Sequence, residues 1–165
     1  MKALQCIELG GPEKLVVSEV PDPIIAAEHV IIEVRSASVN FPDVLMIQGL
    51  YQFQPPLPFT PGGESAGVII EIGEGVESFK VGDKVFAATG VGGISEKILA
   101  HQSSIRLIPE EMNFEIAAAL SVTYGTSNYA LKQRANIQPG ETLLVLGASG
   151  GVGLATVQLG KAMGA

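Results

Sequence analysis

The sequence predicts a small all-β domain, a barrel or sandwich, followed by a helical stretch and one βα unit of the dinucleotide-binding kind. Three observations predict it. Residues 1 to about 110 are short runs of alternating polarity separated by turn signals. Near residue 110 the composition turns Ala-rich and helix-competent, from Asn113 to Arg134. The run Thr142 to Leu146 is continuously apolar and ends in a glycine turn that opens a helix.

Lys2 to Val20 holds two short strands around a turn at Gly10-Gly11-Pro12, with Leu4, Cys6 and Ala3 inward and Gln5 and Glu8 toward water. Pro21-Asp22-Pro23 breaks the chain. His29 to Ser38 is a strand with Val30, Ile32 and Val34 on one face and Glu33 and Arg35 on the other. Asn40 to Gln48 is a short helical turn with Pro42 in its first turn. Pro55, Pro56, Pro58 and Pro61 make a rigid extended loop. Further strands follow at Ser65–Ile72, Asp83–Ala88, Glu96–Ala100 and Ile105–Ile108. The Ala-rich helix of Asn113–Arg134 is weakened in its middle by Thr123, Gly125 and Thr126. A strand at Thr142–Leu146 and a helix from about Gly151 to Met163 close the chain.

Bulk properties narrow the function. The 165 residues are 47% hydrophobic and 16% charged, a globular balance. Net charge is -7, and no Lys/Arg cluster exists, which argues against nucleic acid and anionic membrane as partners. The single Cys6 has no internal disulfide partner, which suits a reducing, cytoplasmic location. The N-terminus lacks the apolar core of a signal peptide. The uncharged stretch Thr142 to Gly160 is interrupted by Gly147, Ser149, Gly150, Gly151, Gly153 and Gln158 and is not expected to span a membrane.

The glycine turn carries the most chemistry. Leu143 to Gly153 runs from a strand through glycines into a helix, the order a dinucleotide site needs. The pyrophosphate of such a ligand sits on unpaired N–H groups at the helix start, where the helix dipole favours negative charge. Ala148, Gly150 and Gly153 keep the G-x-G-x-x-G register, with Ala for the first Gly. Cofactor contacts are therefore expected from Ala148, Ser149, Gly150, Gly151, Val152 and Gly153. A ligand-free glycine turn is the alternative. No Gly-Lys-Ser/Thr closes the turn, so a P-loop is disfavoured. The residue that selects NAD or NADP belongs at the end of the next strand, past Ala165, so the chain is expected to hold the first βα unit of an incomplete Rossmann (α/β) domain.

Several segments together resemble the zinc-free, medium-chain quinone oxidoreductase (zeta-crystallin-like) family. They are Gly140–Lys161, Ser38-Val39-Asn40-Phe41-Pro42-Asp43, Gly49-Leu50-Tyr51, Pro55 to Phe59, Pro61-Gly62-Gly63-Glu64 and Val81 to Val85. The resemblance implies a GroES-like β domain over residues 1–112, a linking helical segment over 113–138 and the start of an NAD(P)-binding Rossmann domain over 139–165. It also implies NADPH as cofactor with NADH left open, a small-molecule substrate, and a homodimer when full-length. The cofactor would lie in a cleft between two domains.

Zinc-dependent relatives carry a Cys in the stretch matching Val39–Asp43 and a His where this chain has Gly63. A catalytic zinc needs three protein ligands and an open position. With Cys6 the lone cysteine and only His29 and His101 as histidines, no metal site is expected. Hydride would then pass from the nicotinamide to a quinone or α,β-unsaturated carbonyl, helped by a hydrogen bond to the carbonyl oxygen.

The resemblance puts Asn40 and Tyr51 at the catalytic end, with Asn40 and Thr126 also near the cofactor. Each has a plainer alternative: a helix cap for Asn40, packing on the proline run for Tyr51, and a bond to its own backbone for Thr126. Asp43 and Glu64 are expected as structural hydrogen-bonding groups. An enoyl or acryloyl thioester reductase is an alternative, disfavoured because Leu45 stands near where some enoyl reductases carry a catalytic Tyr and no basic entrance for CoA phosphates is visible. A non-catalytic binding module or fragment of the same superfamily is the third reading. The truncated chain itself is expected to be inactive.

Overall fold

A computed structural model describes residues 1–165. The chain divides into two compact units, Met1–Ala119 and Leu120–Ala165.

The first unit is antiparallel throughout. Strand β1 (Lys2–Cys6) pairs with β2 (Leu15–Glu19) across a 3-10 turn at Pro12–Lys14. The other edge of β1 is used too: Leu4 N–H donates to Ile94 O (3.0 Å) and Cys6 N–H to Phe59 O (2.7 Å). This second partner alters the expected inside–outside pattern. Ala3 and Cys6 are buried, but Leu4 and Gln5 are both half-buried, and Gln5 Nε2 donates to Thr60 Oγ1 rather than to water.

Strands β3 (His29–Ala37), β4 (Glu64–Ile72), β5 (Lys84–Ala88), β6 (Lys97–His101) and β7 (Ile105–Leu107) form one sheet in the order β6-β3-β4-β5-β7. Its register shifts at Ile31/Ile32 and Val34/Ser36, irregularities of the kind that bend and twist a strand. Val30, Ile32, Ile69, Val85, Ile98 and Ile105 fill the concave core. Ile31, on the opposite face of β3, is buried as well, so this strand is covered on both sides.

Helix α1 (Phe41–Ile47) drops Met46 and Ile47 onto Cys6 and Phe59, and α2 (Phe114–Ala118) packs Ala117 and Ala118 on Ala66 and Ile108. Full burial of an aliphatic side chain contributes about 1.5–3 kcal/mol, so these two clusters hold α1 and α2 on the strands.

The second unit holds α3 (Leu120–Asn128), a π-helical stretch Tyr129–Arg134, and α4 (Gly151–Ala162). The single helix expected over Asn113–Arg134 is thus broken. Ala119 leaves the helical region (φ -102, ψ 7), because α2 buries its alanines in the first unit while α3 packs on α4 in the second.

The expected strand Thr142–Leu146 does not form. A strand exists only through a neighbour that takes its hydrogen bonds, and none pairs with this segment. Leu144 and Leu146 are left 82% and 87% exposed.

Candidate functional site

Within the second unit, the turn expected to hold a dinucleotide is built as its sequence demands. Gly147 takes φ +74, and Gly150 N–H donates to Gly147 O (3.2 Å). The first intrahelical bond of α4 runs from Leu154 N–H to Gly150 O (2.8 Å). The N–H groups of Gly151, Val152 and Gly153 precede it and have no intrahelical acceptor. Ala148, Ser149, Gly150, Gly151 and Val152 are all exposed. A Cβ at position 153 would stand 2.1 Å from Gly147 O and 2.9 Å from Ala148 Cα. Only glycine fits there, and this close approach holds the helix start against the turn. The unpaired amides and the glycine cradle fit the pyrophosphate of a nicotinamide dinucleotide. Ala148 replaces the first glycine of the fingerprint at an exposed position, where its methyl is accommodated.

What holds α4 in place is a residue the sequence reading missed. Ser127 is fully buried, with Oγ 2.8 Å from Thr123 O, 2.9 Å from Val152 O and 3.0 Å from the Thr156 hydroxyl. Thr156 also donates to Val152 O at 2.7 Å. The network grips the first turn of α4, next to the unpaired amides. Thr126, the expected cofactor neighbour, is exposed. The one sequence signal for Ser127 is its adjacency to Thr126, which put the hydroxyl one step round the helix, on the buried side.

Within the first unit, the expected catalytic residues stand around the start of α1. Asn40 is the N-cap and Asp43 the third helical residue, in the capping-box arrangement. Asn40 N–H donates to Asp43 Oδ2 (2.8 Å), and Gly62 N–H donates to Asp43 Oδ1 (3.0 Å). Gly62 has φ +103, and a Cβ there would meet Ile94 N at 2.7 Å, so the buried Asp43 carboxylate ties α1 to a turn only glycine can make.

The Asn40 amide nitrogen also reaches Glu64 and Ser38. It donates to Glu64 Oε1 (2.9 Å) and to Ser38 Oγ (2.8 Å), while Ser38 Oγ donates to the same Glu64 oxygen (2.6 Å). Glu64 is 1% exposed. Asp43 and Glu64 thus take the structural roles expected of them, and Asn40 both caps α1 and orders the Glu64 site. Ser38 was not anticipated. The spacing Ser38-Val39-Asn40 on extended chain, which places alternate side chains on one side, is the signal that points to it.

Tyr51 is half-buried and packs on the Cys6, Met46, Ile47 and Phe59 cluster. Its hydroxyl makes no hydrogen bond within the protein. Leu45 is half-buried in the same helix. His29 and His101 face each other across β3 and β6 with ring centroids 5.0 Å apart, remote in the sheet from α1.

Residues 26–110 match the family model for the alcohol dehydrogenase GroES-like domain. The chain is 43% identical over 166 residues to the quinone oxidoreductase of Mus musculus, covering 99% of this chain and 50% of that protein. A probable oxidoreductase from Mycobacterium abscessus superposes with TM-score 0.94 at 41% identity, over 99% of this chain and 52% of that one. The quinone oxidoreductase of Thermus thermophilus, whose structure was also solved in complex with NADPH, superposes with TM-score 0.87 at 34% identity, over 99% and 51%. The chain spans about half the length of the curated relatives it matches.

Proposed function

This chain belongs to the alcohol dehydrogenase GroES-like domain family, and from that premise we propose that it is part of an NADPH-dependent reductase of quinones or α,β-unsaturated carbonyls that works without zinc. The observation that carries the proposal is the turn Gly147–Gly153, whose glycine packing leaves three consecutive N–H groups unpaired at the start of α4. Three aligned donors at a helix start suit a doubly charged pyrophosphate.

The cofactor supplies the hydride. The chain's residues would position and polarise: the amides of Gly151, Val152 and Gly153 would hold the pyrophosphate, and the Tyr51 hydroxyl would donate a hydrogen bond to the substrate oxygen as negative charge develops there. Bound NADPH would give its hydride, with one proton from solvent, to a quinone, leaving NADP⁺ and a hydroquinone. Leu45 offers no proton, which favours acceptors activated by conjugation alone over thioesters. The zinc-free reading rests on Gly63, which stands where zinc-dependent relatives carry a His ligand. The full-length protein is a homodimer on this reading, in a reducing compartment.

The test is NADPH oxidation by a full-length version in the presence of chelator, with a 1,4-quinone and an enoyl thioester as alternative acceptors. Quinone-dependent turnover that survives chelation supports the reading. Turnover that depends on added zinc, or that runs only on the thioester, defeats it.

A further inference from the structure

His29 and His101 stand directly opposite each other, at the start of β3 and the end of β6. Gln102 N–H donates to Glu28 O (2.9 Å), which makes Glu28 and Gln102 a hydrogen-bonded pair across the two chains. The neighbouring His29–His101 pair is therefore of the non-hydrogen-bonded kind, in which opposed side chains come closest. The rings meet with centroids 5.0 Å apart and planes at 85°. His29 is half-buried and His101 exposed, so solvent reaches the pair.

Each ring turns its Nδ1 to its own chain. His29 Nδ1 lies 2.7 Å from Ala27 O, which only accepts, so Nδ1 carries a proton and the neutral ring keeps a lone pair on Nε2. His101 Nδ1 lies 2.8 Å from Ser103 Oγ and accepts from Ser103 N–H (3.2 Å). A hydroxyl both donates and accepts, so Ser103 Oγ can equally receive a proton from Nδ1. That leaves Nε2 as the open nitrogen of each imidazole. An Nδ1–H held by a neighbouring oxygen is the arrangement that orients a metal-bound imidazole.

We propose that His29 and His101 form a bidentate site for a zinc ion, which binds both Nε2 atoms and bridges β3 to β6. No third His, Cys, Asp or Glu joins the pair, so water completes the coordination. With Zn–N about 2.0–2.1 Å, two imidazoles on one tetrahedral zinc have centroids about 5 Å apart, which matches the pair. An imidazole turns about its metal–nitrogen bond, so perpendicular ring planes are no obstacle. Paired imidazoles select zinc, nickel and copper over magnesium and calcium. Flanking charge does not decide the ion, because Glu28 is engaged with the Gln102 amide and Arg106 with the Ser103 carbonyl. The sequence reading set both histidines aside because a catalytic zinc needs three protein ligands. A two-ligand chelate is a different kind of site, and it is independent of the proposed reaction. Zinc carried here is no sign of a catalytic metal.

The experiment uses zinc chloride as the probe on this chain, with His29→Asn and His101→Asn as variants. Asparagine keeps a polar group near the Nδ1 position for the local hydrogen bonds and removes Nε2, so both variants should fold, which a urea midpoint checks. Calorimetric titration should find one saturable zinc per parent chain, at least tenfold weaker binding in either variant, and no competition from millimolar magnesium. Denaturation midpoints should rise with zinc in the parent and far less in the variants. A second measurement needs no variant. In the 15N-labelled parent, zinc should shift both Nε2 resonances, place the His101 proton on Nδ1, and perturb the Ser103 amide, which loses its acceptor.

Zinc uptake that is unchanged in either folded variant overturns the proposal. So does the absence of saturable uptake below about 1 mM free zinc, or binding that leaves the ring nitrogens of His29 and His101 unmoved. The reductase reading is scored separately: quinone turnover by the full-length protein should be the same with His101→Asn as without it.

Discussion

The carbonyl oxygen of Gly147 sits 2.1 Å from the point where a Cβ on residue 153 would stand. That distance is far inside any tolerated carbon–oxygen contact, and both partners are backbone. Gly153→Ala must therefore push α4 away from the turn or distort Gly147. We expect a loss of roughly 1–3 kcal/mol of stability in the second unit, in the range of overpacking substitutions, and faster hydrogen exchange at residues 147–153. Hydrogen exchange read by mass spectrometry checks both; an unchanged pattern would mean that the turn is softer than its geometry states.

Asp43 accepts from Gly62 N–H and Asn40 N–H while buried among apolar neighbours. Hydrogen bonds to charged groups contribute about 1.5–3 kcal/mol each. Asp43→Ala leaves both donors unpaired and should cost about 3 kcal/mol or more. Asp43→Asn retains one acceptor and turns an NH2 toward the other donor, for a loss of about half that. Chemical denaturation should rank parent above Asn above Ala.

Ser127→Ala removes the hydroxyl that touches Thr123 O, Val152 O and the Thr156 hydroxyl. Thr156 keeps its own bond to Val152 O, so the expected cost is about 1–2 kcal/mol rather than the full penalty of an orphaned group. The same substitution at exposed Thr126 should change stability by less than about 0.5 kcal/mol. Equal effects at the two neighbours would contradict the assignment.

Burial pushes the Cys6 thiol above its ordinary value of 9.0. The unfolded thiol ionises first as pH rises, so its contribution to stability is present below about pH 9 and is lost above it. Denaturation midpoints should be flat from pH 7 to 8.5 on this account and fall at higher pH; Cys6→Ala should flatten that fall while lowering stability overall. Thiol reagents should label Cys6 only at the rate of unfolding.

Leu144 and Leu146 stand exposed on a segment without a strand partner. Extended apolar chain with free backbone groups recruits another strand. We expect the 165-residue chain to self-associate at micromolar concentration and not to turn over quinone with NADPH. Leu144→Ser with Leu146→Ser should shift sedimentation toward monomer. Normal turnover by a monomeric parent chain would be the decisive contrary result.

Much of the fold was legible because its signals are local. Alternation marked β3 through its inward Val30 and Ile32, Pro42 and Asn40 marked the start of α1, and the glycine register marked the start of α4. The strand at Thr142–Leu146 was equally clear as a pattern and yet does not form, because a ladder needs a partner that no local pattern supplies. The helix over Asn113–Arg134 was legible as helical, but the break at Ala119 was not, since it depends on which core each half buries.

By itself the sequence determined the all-β first unit, the glycine turn and the residue types at positions 40, 43, 51 and 64. These follow from φ/ψ preference, periodicity and cap chemistry, which act over a few residues. Only the tertiary structure decided that Ser38, Asn40 and Glu64 meet, and that Ser127 rather than Thr126 grips α4. Glu64 lies 24 residues from Asn40, and Thr156 lies 29 from Ser127. Hydrogen bonds across such separations are set by how strands and helices pack, and a donor's direction is known only when its acceptor has arrived.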